Sequence, residues 1–263
     1  MEKLKDAVES VVRRAAQLMI QDDFKVDEKD GAANIVTSSD LAVQRFLCEE
    51  LKTLMPESAF FCEEEDVQNE GEYVWIIDPI DGTANYARGL GESAVSVALA
   101  HGDEVILGVV YNPYREQLFT AVRGGGAYLN GRPLHTSAKT FGQSLFCTAA
   151  SLYRKEFAEI CFRIMEDTYG KCNDFRRFGS AALELCYLAA GKCDLYFEIR
   201  LFPWDYAAAQ LILHEAGGTV RGFDGAPPSL RHPSPVIGAN CEENYRLLNE
   251  IVHRHMKDVP YGE

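Results

Sequence analysis

Long apolar runs are missing from this 263-residue chain, so none of it reads as a membrane-spanning helix, which needs about 20 consecutive apolar residues. Positive charge is scarce. The 26 lysines and arginines against 40 aspartates and glutamates leave a formal charge of −14, which argues against a surface built to grip nucleic-acid phosphate or anionic lipid. The eight cysteines, at 48, 62, 147, 161, 172, 186, 193 and 241, form no C-x-x-C pair and no zinc-ligand spacing; a chain this long needs no disulfide staples, so reduced thiols are expected. The six histidines, at 101, 135, 214, 232, 253 and 255, form no ligand spacing with the acids described below. A signal-peptide apolar core is also lacking, since Met1-Glu2-Lys3-Leu4-Lys5-Asp6 runs straight into an amphipathic pattern, and the expectation is a soluble, cytoplasmic protein. Repeats, low-complexity tracts and long linkers are absent, and 47% hydrophobic with 25% charged residues suits an ordinary globular core.

The residues that are present divide the chain by texture. Leu4, Val8, Val11, Val12, Ala15, Leu18 and Met19 recur at helical spacing and predict an amphipathic helix ending near Asp22–Asp23. A second helix, bearing Leu41, Val43, Phe46, Leu47 and Leu51, is expected after a Ser or Asp cap in Thr37-Ser38-Ser39-Asp40, with Pro56 closing it. From Phe60 onward, β-branched and aromatic runs predict antiparallel strands at Tyr73–Ile77, Ser93–Ala100, Val105–Tyr111 and Gln117–Val122. After about Phe141 the pattern alternates. Helices are expected at Tyr153–Met165, Ser180–Ala190 and Asp205–Ala216, with extended segments at Lys171–Phe178 and Asp194–Ile199. The class is α+β, with halves at 1–140 and 141–263 and a cleft between them, where ligand sites usually lie.

The most informative stretch is Trp75-Ile76-Ile77-Asp78-Pro79-Ile80-Asp81-Gly82-Thr83-Ala84-Asn85-Tyr86, an apolar strand that ends in two carboxylates. Pro79 is expected to hold Asp78 extended and stop the strand. Gly82 permits a sharp reversal, after which Thr83 is placed to cap a short helix whose N–H groups face an anion beside the carboxylates. An ordinary Asp-Gly turn accounts for Asp81, Gly82 and Thr83 but leaves Asp78 unexplained. Upstream, Phe60-Phe61-Cys62 leads into Glu63-Glu64-Glu65, which alone reads as a solvated loop but also offers a third carboxylate at a strand end. Downstream, Trp204-Asp205-Tyr206 opens a helix that Gly217 closes. Asp205 reads there as an N-cap able to offer an oxygen to a metal as well.

Together these stretches resemble both signatures of the inositol monophosphatase family, Asp-Pro-Ile-Asp-Gly-Thr-x-Asn-Tyr and Trp-Asp-x-Ala-Ala followed by Glu-Ala-Gly-Gly. The likeness extends to Ile35–Asp40, Phe61–Glu64, the Arg123–Pro133 hairpin and Arg176–Ala182. It implies a layered αβαβα sandwich of the sugar-phosphatase type, with an antiparallel N-terminal sheet carrying the metal motif and an α/β C-terminal half completing the cleft. It also implies two or three Mg²⁺ ions on Glu63, Asp78, Asp81, Asp205 and the backbone carbonyl of Ile80. The family's Gly-Glu-Glu is Cys62-Glu63-Glu64 here, which keeps Glu64 as the alternative to Glu63. Thr83, with Glu63 and Asp40, is implied to position the attacking water, and the N–H groups of Gly82 and Thr83 to hold the phosphate. Asp81, Gly179, Ser180, Ala181, Glu198 and Asp205 fall at substrate contacts, with Glu198 at the carboxylate that accepts sugar hydroxyls. Lys29 matches a loop lysine by spacing.

The activity so implied is Mg²⁺-dependent, lithium-sensitive hydrolysis of a phosphate monoester by direct attack of water. Clustered carboxylates alone would repel a dianionic ester, and bound cations invert that field. An all-oxygen donor set favours Mg²⁺ over Zn²⁺. Gly82-Thr83-Ala84-Asn85-Tyr86 resembles the inositol-phosphatase subgroup, whereas nucleotide-bisphosphate relatives read Gly-Thr-Lys-Glu-Phe, so myo-inositol monophosphate is the expected substrate. The alternatives are fructose 1,6-bisphosphate, 3′-phosphoadenosine 5′-phosphate, histidinol phosphate, or a non-catalytic regulatory role, since some relatives contact RNA polymerase or ribosome-assembly factors. A homodimer is implied, and neither a nucleic-acid nor a membrane partner is expected.

Overall fold

Strands apolar on both faces must be covered on both sides, and the run from Trp75 to Ile77 places Trp75 and Ile77 on one face and Ile76 on the other. The structure, a computed structural model, describes residues 1–20, 26–28, 35–64, 71–151 and 154–257. Among them the chain runs α1 (Glu2–Ile20), β1 (Val26–Glu28), β2 (Ile35–Thr37), α2 (Ser38–Leu54), β3 (Ala59–Cys62), β4 (Tyr73–Asp81), α3 (Thr83–Ala87), β5 (Ala94–His101), β6 (Glu104–Asn112), β7 (Gln117–Val122), β8 (Ala127–Leu129) and β9 (Arg132–Pro133). It continues with β10 (Leu145–Thr148), α4 (Ala158–Tyr169), β11 (Asp174–Arg176), α5 (Ala181–Ala189), β12 (Leu195–Leu201), α6 (Pro203–Glu215), β13 (Thr219–Arg221), β14 (Ser234–Ala239) and α7 (Glu242–Met256). The expected end of the first helix at Asp22–Asp23, Lys29, Glu65 and Tyr153 lie outside the described residues.

Strands β3 to β9 form a seven-stranded sheet in chain order, antiparallel throughout except that β3 lies parallel to β4. The second sheet is ordered β11-β10-β12-β14-β13 and is mixed, with β10 parallel to both neighbours and β14 antiparallel to β12 and β13. Helices α1 and α2 cover one face of the first sheet through Val8, Val12 and Leu47 against Trp75, Val97 and Leu107. Its other face meets α5 and α6, which also touch Tyr196 and Val236 of the second sheet. The outer face of that sheet, with Leu195, Phe197 and Ile237, is closed by Ile164 of α4 and Leu248 and Val252 of α7. The layers therefore alternate α, β, α, β, α, the layered α+β fold expected from the sequence. No helix among the described residues is long and apolar enough to cross a membrane.

Small side chains decide how closely α6 approaches. Ala94, Ala98, Ala100 and Ala121 line the receiving face of the sheet, and a Cβ added at Gly108 would stand 2.6 Å from the backbone oxygen of Ala208. The helix answers with Ala207, Ala208 and Ala209, all buried. Backbone meets backbone there, and the N-terminus of α6 is drawn in over the end of β4.

Three local expectations are corrected. Pro79 does not stop the strand: β4 continues to Asp81 through a register shift between Asp78 and Asp81, because a bulge accommodates a residue without a donor. Thr37 caps α2 instead of a following Ser or Asp, its Oγ1 accepting from the N–H of Ser39, while Asp40 closes the reciprocal half of the capping box. Asp205 is not an N-cap. Helix α6 begins one turn earlier, with Phe202 as N-cap and Pro203 at the first helical position, and the Asp205 carboxylate accepts the Phe202 N–H at 2.7 Å.

Candidate active site

The end of β4 is shaped by its own side chains. Asp78 Oδ1 accepts the N–H of Ile80 at 3.0 Å, a local turn that takes the chain around Pro79. Gly82 then adopts φ +85°, and a Cβ there would meet Glu92 O at 2.9 Å, so only glycine lets the chain pass. Gly82 is thus the N-cap of α3, which corrects the expectation for Thr83. Thr83 is the first helical residue, its Oγ1 donating to Ile80 O at 3.0 Å.

Three elements converge on this end. Glu63 follows β3, held by its N–H to Ile77 O at 3.2 Å. The N-terminus of α5 closes on Asp81: Ser180 Oγ and the N–H of Ala182, the latter at 2.8 Å, donate to Oδ2, and the N–H of Ala181 to Oδ1 at 3.3 Å. Ser180 also caps α5, accepting from Leu183 N–H at 3.3 Å, as read from the sequence. Helix α6 delivers Asp205. Carboxylate oxygens of Asp78, Asp81 and Asp205 thereby come within 4.8 Å of one another.

These three sit at the base of a cleft of about 160 Å³ that Glu63, Ile80, Gly82, Thr83, Gly179, Ser180, Ala181 and Glu198 also line. Of the residues named from sequence, Asp40 stands apart from that lining. It is fully buried behind the cleft, with Oδ2 accepting the N–H of Thr37 at 2.7 Å in the helix cap. Glu64, the alternative to Glu63, is not among the lining residues, and its backbone N–H donates to Gln44 Oε1 of α2 at 3.0 Å.

The electrostatics follow from burial and crowding. Burial, then the charges of Glu63, Asp81 and Asp205, push the Asp78 carboxyl well above the usual carboxylate range. Asp205 is raised for the same reasons, burial first and then Asp81 and Glu63. Asp81 is buried too but rises only to about 6, because Ser180 and the α5 N–H groups hold its charged form. Elsewhere in the lining, Glu198 is lifted to about 7 by burial, against a hydrogen bond from Tyr196 OH at 2.8 Å and the nearby Arg177.

Two charged lining residues escaped the sequence reading. Arg177 is the one cation among the described lining residues, and Glu184 is a carboxylate in the otherwise uncharged α5, Ala181–Ala189. The signal for Glu184 was available, since a lone acid in a wholly apolar helix needs a partner or a purpose. Six carboxyl groups against one guanidinium make the cleft strongly acidic. Neither histidine nor cysteine lines it among the described residues, so the donor set is all oxygen and fits a hard divalent cation of the Mg²⁺ kind.

Comparison with known proteins agrees with this arrangement. The model of the inositol monophosphatase family matches residues 1–257. The Nus factor SuhB of Salmonella typhimurium strain LT2 is 40% identical over 211 residues, 79% of either chain. Among solved structures, the extragenic suppressor protein suhB from Bartonella henselae superposes with a TM-score of 0.88 at 29% identity, over 95% of this chain and 98% of that one. The IMPase of Thermotoga maritima gives 0.85 at 30% identity, over 97% of this chain and 100% of its own. The carboxylate cluster, the layered fold and these likenesses agree, and the chain belongs to the inositol monophosphatase family.

Proposed function

We propose that this protein hydrolyses the phosphate monoester of a small polyol, myo-inositol monophosphate foremost, with Mg²⁺ held by Glu63, Asp78, Asp81, Asp205 and the Ile80 carbonyl. The observation that carries this reading is the trio of carboxylates, Asp78 and Asp81 buried and Asp205 half-buried, whose oxygens lie within 4.8 Å of one another at the base of a cleft. Bound there, the divalent cation supplies Lewis acidity, offsetting the phosphate charge and acidifying water.

The chain's own residues account for the rest. Gly82 and Thr83 open a helix, so their N–H groups have no partner within it and serve as donors to phosphate oxygens. Thr83 Oγ1 and Glu63 flank the place where the attacking water is held, the hydroxyl anchored by its own bond to Ile80 O at 3.0 Å. Asp40 acts from behind, its charge raising the Asp78 carboxyl. Gly179, Ser180 and Ala181 form the wall that fixes Asp81 and borders the ester. Glu198 accepts hydroxyl hydrogens of the polyol, its second oxygen being held by Tyr196.

Phosphate release from inositol 1-phosphate, fructose 1,6-bisphosphate, 3′-phosphoadenosine 5′-phosphate and histidinol phosphate, with and without Mg²⁺, tests the reading. Preference for inositol 1-phosphate is expected. Faster turnover of a bisphosphate would sink the substrate assignment and leave the metal assignment standing. A regulatory role is the second reading, favoured by the 40% identity to a protein named a Nus factor. No Mg²⁺-dependent phosphate release from any ester would favour it.

A further inference from the structure

Glu184 sits where the apolar surroundings of α5 offer it nothing. It is 2% exposed between Leu183 and Leu185, both fully buried, and burial lifts its carboxyl to about 8, with Glu198 adding to the rise. Burying an ionisable group this way costs several kcal/mol unless its hydrogen bonds repay it. Its Oε1 reaches back out of the helix and accepts two backbone donors, the N–H of Phe178 and, at 2.9 Å, the N–H of Gly179.

The same turn is gripped from the opposite side. Asn85 Nδ2, on α3, donates to Phe178 O at 2.6 Å and to Glu92 O at 2.7 Å. The Phe178–Gly179 peptide is therefore clamped at both ends, by Asn85 on the Phe178 carbonyl and by Glu184 on the Gly179 N–H, and Glu184 also holds the Phe178 N–H. The clamp fixes Gly179 at φ +82°, where a Cβ would crowd Asn85 Nδ2 at 3.1 Å. The next residue, Ser180, delivers the hydroxyl and the helix start that orient Asp81.

We propose that Glu184 is a positioning residue: by holding the Phe178–Gly179 turn as an acceptor, it sets the direction from which Ser180 and the α5 N–H groups fix Asp81, and so tunes the affinity of the site for its divalent cation. The proposal rests on Asp81 being a metal ligand as read above. It assigns Glu184 an acceptor's role and not a charge's.

That distinction sets the test. Glu184→Gln keeps an oxygen for both N–H groups, whereas Glu184→Met keeps the bulk and loses the acceptor. Binding of Mn²⁺ to the full-length protein without substrate, read by paramagnetic resonance of the free ion, gives a measure independent of turnover. Glu184→Met is expected to weaken Mn²⁺ binding and lower kcat by at least about tenfold while KM for inositol 1-phosphate stays within about twofold, and Glu184→Gln to stay within about threefold of wild type in all three. Amide exchange at Phe178 and Gly179 should quicken in Glu184→Met only. Should Glu184→Met fail to fold, Asn85→Ala loosens the same peptide from the other side, and the same loss of Mn²⁺ affinity is expected. Wild-type Mn²⁺ affinity in Glu184→Met, or in Asn85→Ala where Glu184→Met does not fold, would overturn the proposal, and so would a Glu184→Gln variant as impaired as Glu184→Met. Failure of the wild type to hydrolyse any ester would instead sink the proposed function, with the Mn²⁺ titration still reporting on the turn.

Discussion

The cleft holds its carboxylates under two opposite arrangements. At the base, Asp78, Asp81 and Asp205 crowd together, Asp81 raising the hold of the other two on a proton and Asp205 that of Asp78, although each also accepts a backbone N–H. Outside that trio, Glu198 is served by the Tyr196 hydroxyl and Glu184 by two backbone N–H groups, with Arg177 lowering both. A cluster whose internal hydrogen bonds do not cancel its mutual repulsion calls for an external cation; acids supplied singly by protein donors suit recognition and positioning.

The strongest way to break that contrast is to remove a charge from the base. Asp81→Asn or Asp205→Asn is expected to lower kcat by at least about a hundredfold, measured at saturating Mg²⁺, with the fold intact by circular dichroism. Near-normal turnover would take the residue out of the metal site. Chelation comes next: removing divalent ions should abolish activity, and Mg²⁺ at about a hundred times its dissociation constant should return it and add about 2.7 kcal/mol of stability, read as a rise in Tm. A protein whose Tm ignores Mg²⁺ would remove the reason for the crowding.

The singly held acid Glu198 should respond more gently and only to some substrates. Glu198→Gln should cost about 1.5–3 kcal/mol, the range for hydrogen bonds to a charged group, hence roughly tenfold or more in kcat/KM for inositol 1-phosphate. Hydrolysis of p-nitrophenyl phosphate, which has no hydroxyls to present, should hardly change. Equal losses on both would place Glu198 in the chemistry and not in recognition.

The smallest effect is on stability against pH. Glu198 and Glu184 are raised in the fold to about 7 and 8 from an ordinary value of 4.5, so the folded state holds protons that the unfolded state releases. Their contribution is therefore full below the unfolded value and is lost as pH rises through 7 to 8. The metal-free protein should lose a few degrees of Tm between about pH 5 and about pH 8.5, and Glu198→Gln should flatten part of that slope. A Tm that climbs over this interval would contradict the burial assigned to both acids.

Much of the site was legible because its donors are local in sequence. The strand that bears Asp78 and Asp81, the glycine reversal at Gly82 and the Ser180 cap each depend on a few neighbours, and the runs that build β4, β6 and β7 are apolar enough to name themselves. The misread helix caps share one cause. Thr37, Gly82 and Phe202 became caps where Ser38 or its neighbours, Thr83 and Asp205 were expected, because a cap is chosen by the backbone direction that packing imposes as well as by side-chain type. Glu184 was missed because its partners, Phe178 and Gly179, lie outside its own helix and identify it only once the turn is folded.

By itself the sequence determined an acidic, oxygen-donor chemistry, most of the helices and strands as far as α6, and the family whose motifs it carries. Only the tertiary structure decided that Asp205 meets Asp81. That meeting depends on the absence of a side chain at Gly108 and on alanines at 207 to 209, which let α6 settle onto the sheet with a Cβ position just 2.6 Å from Ala208 O. Periodicity and turn chemistry act over a few residues and can be read from the chain, whereas the approach of two distant segments is set by the volume of every side chain between them.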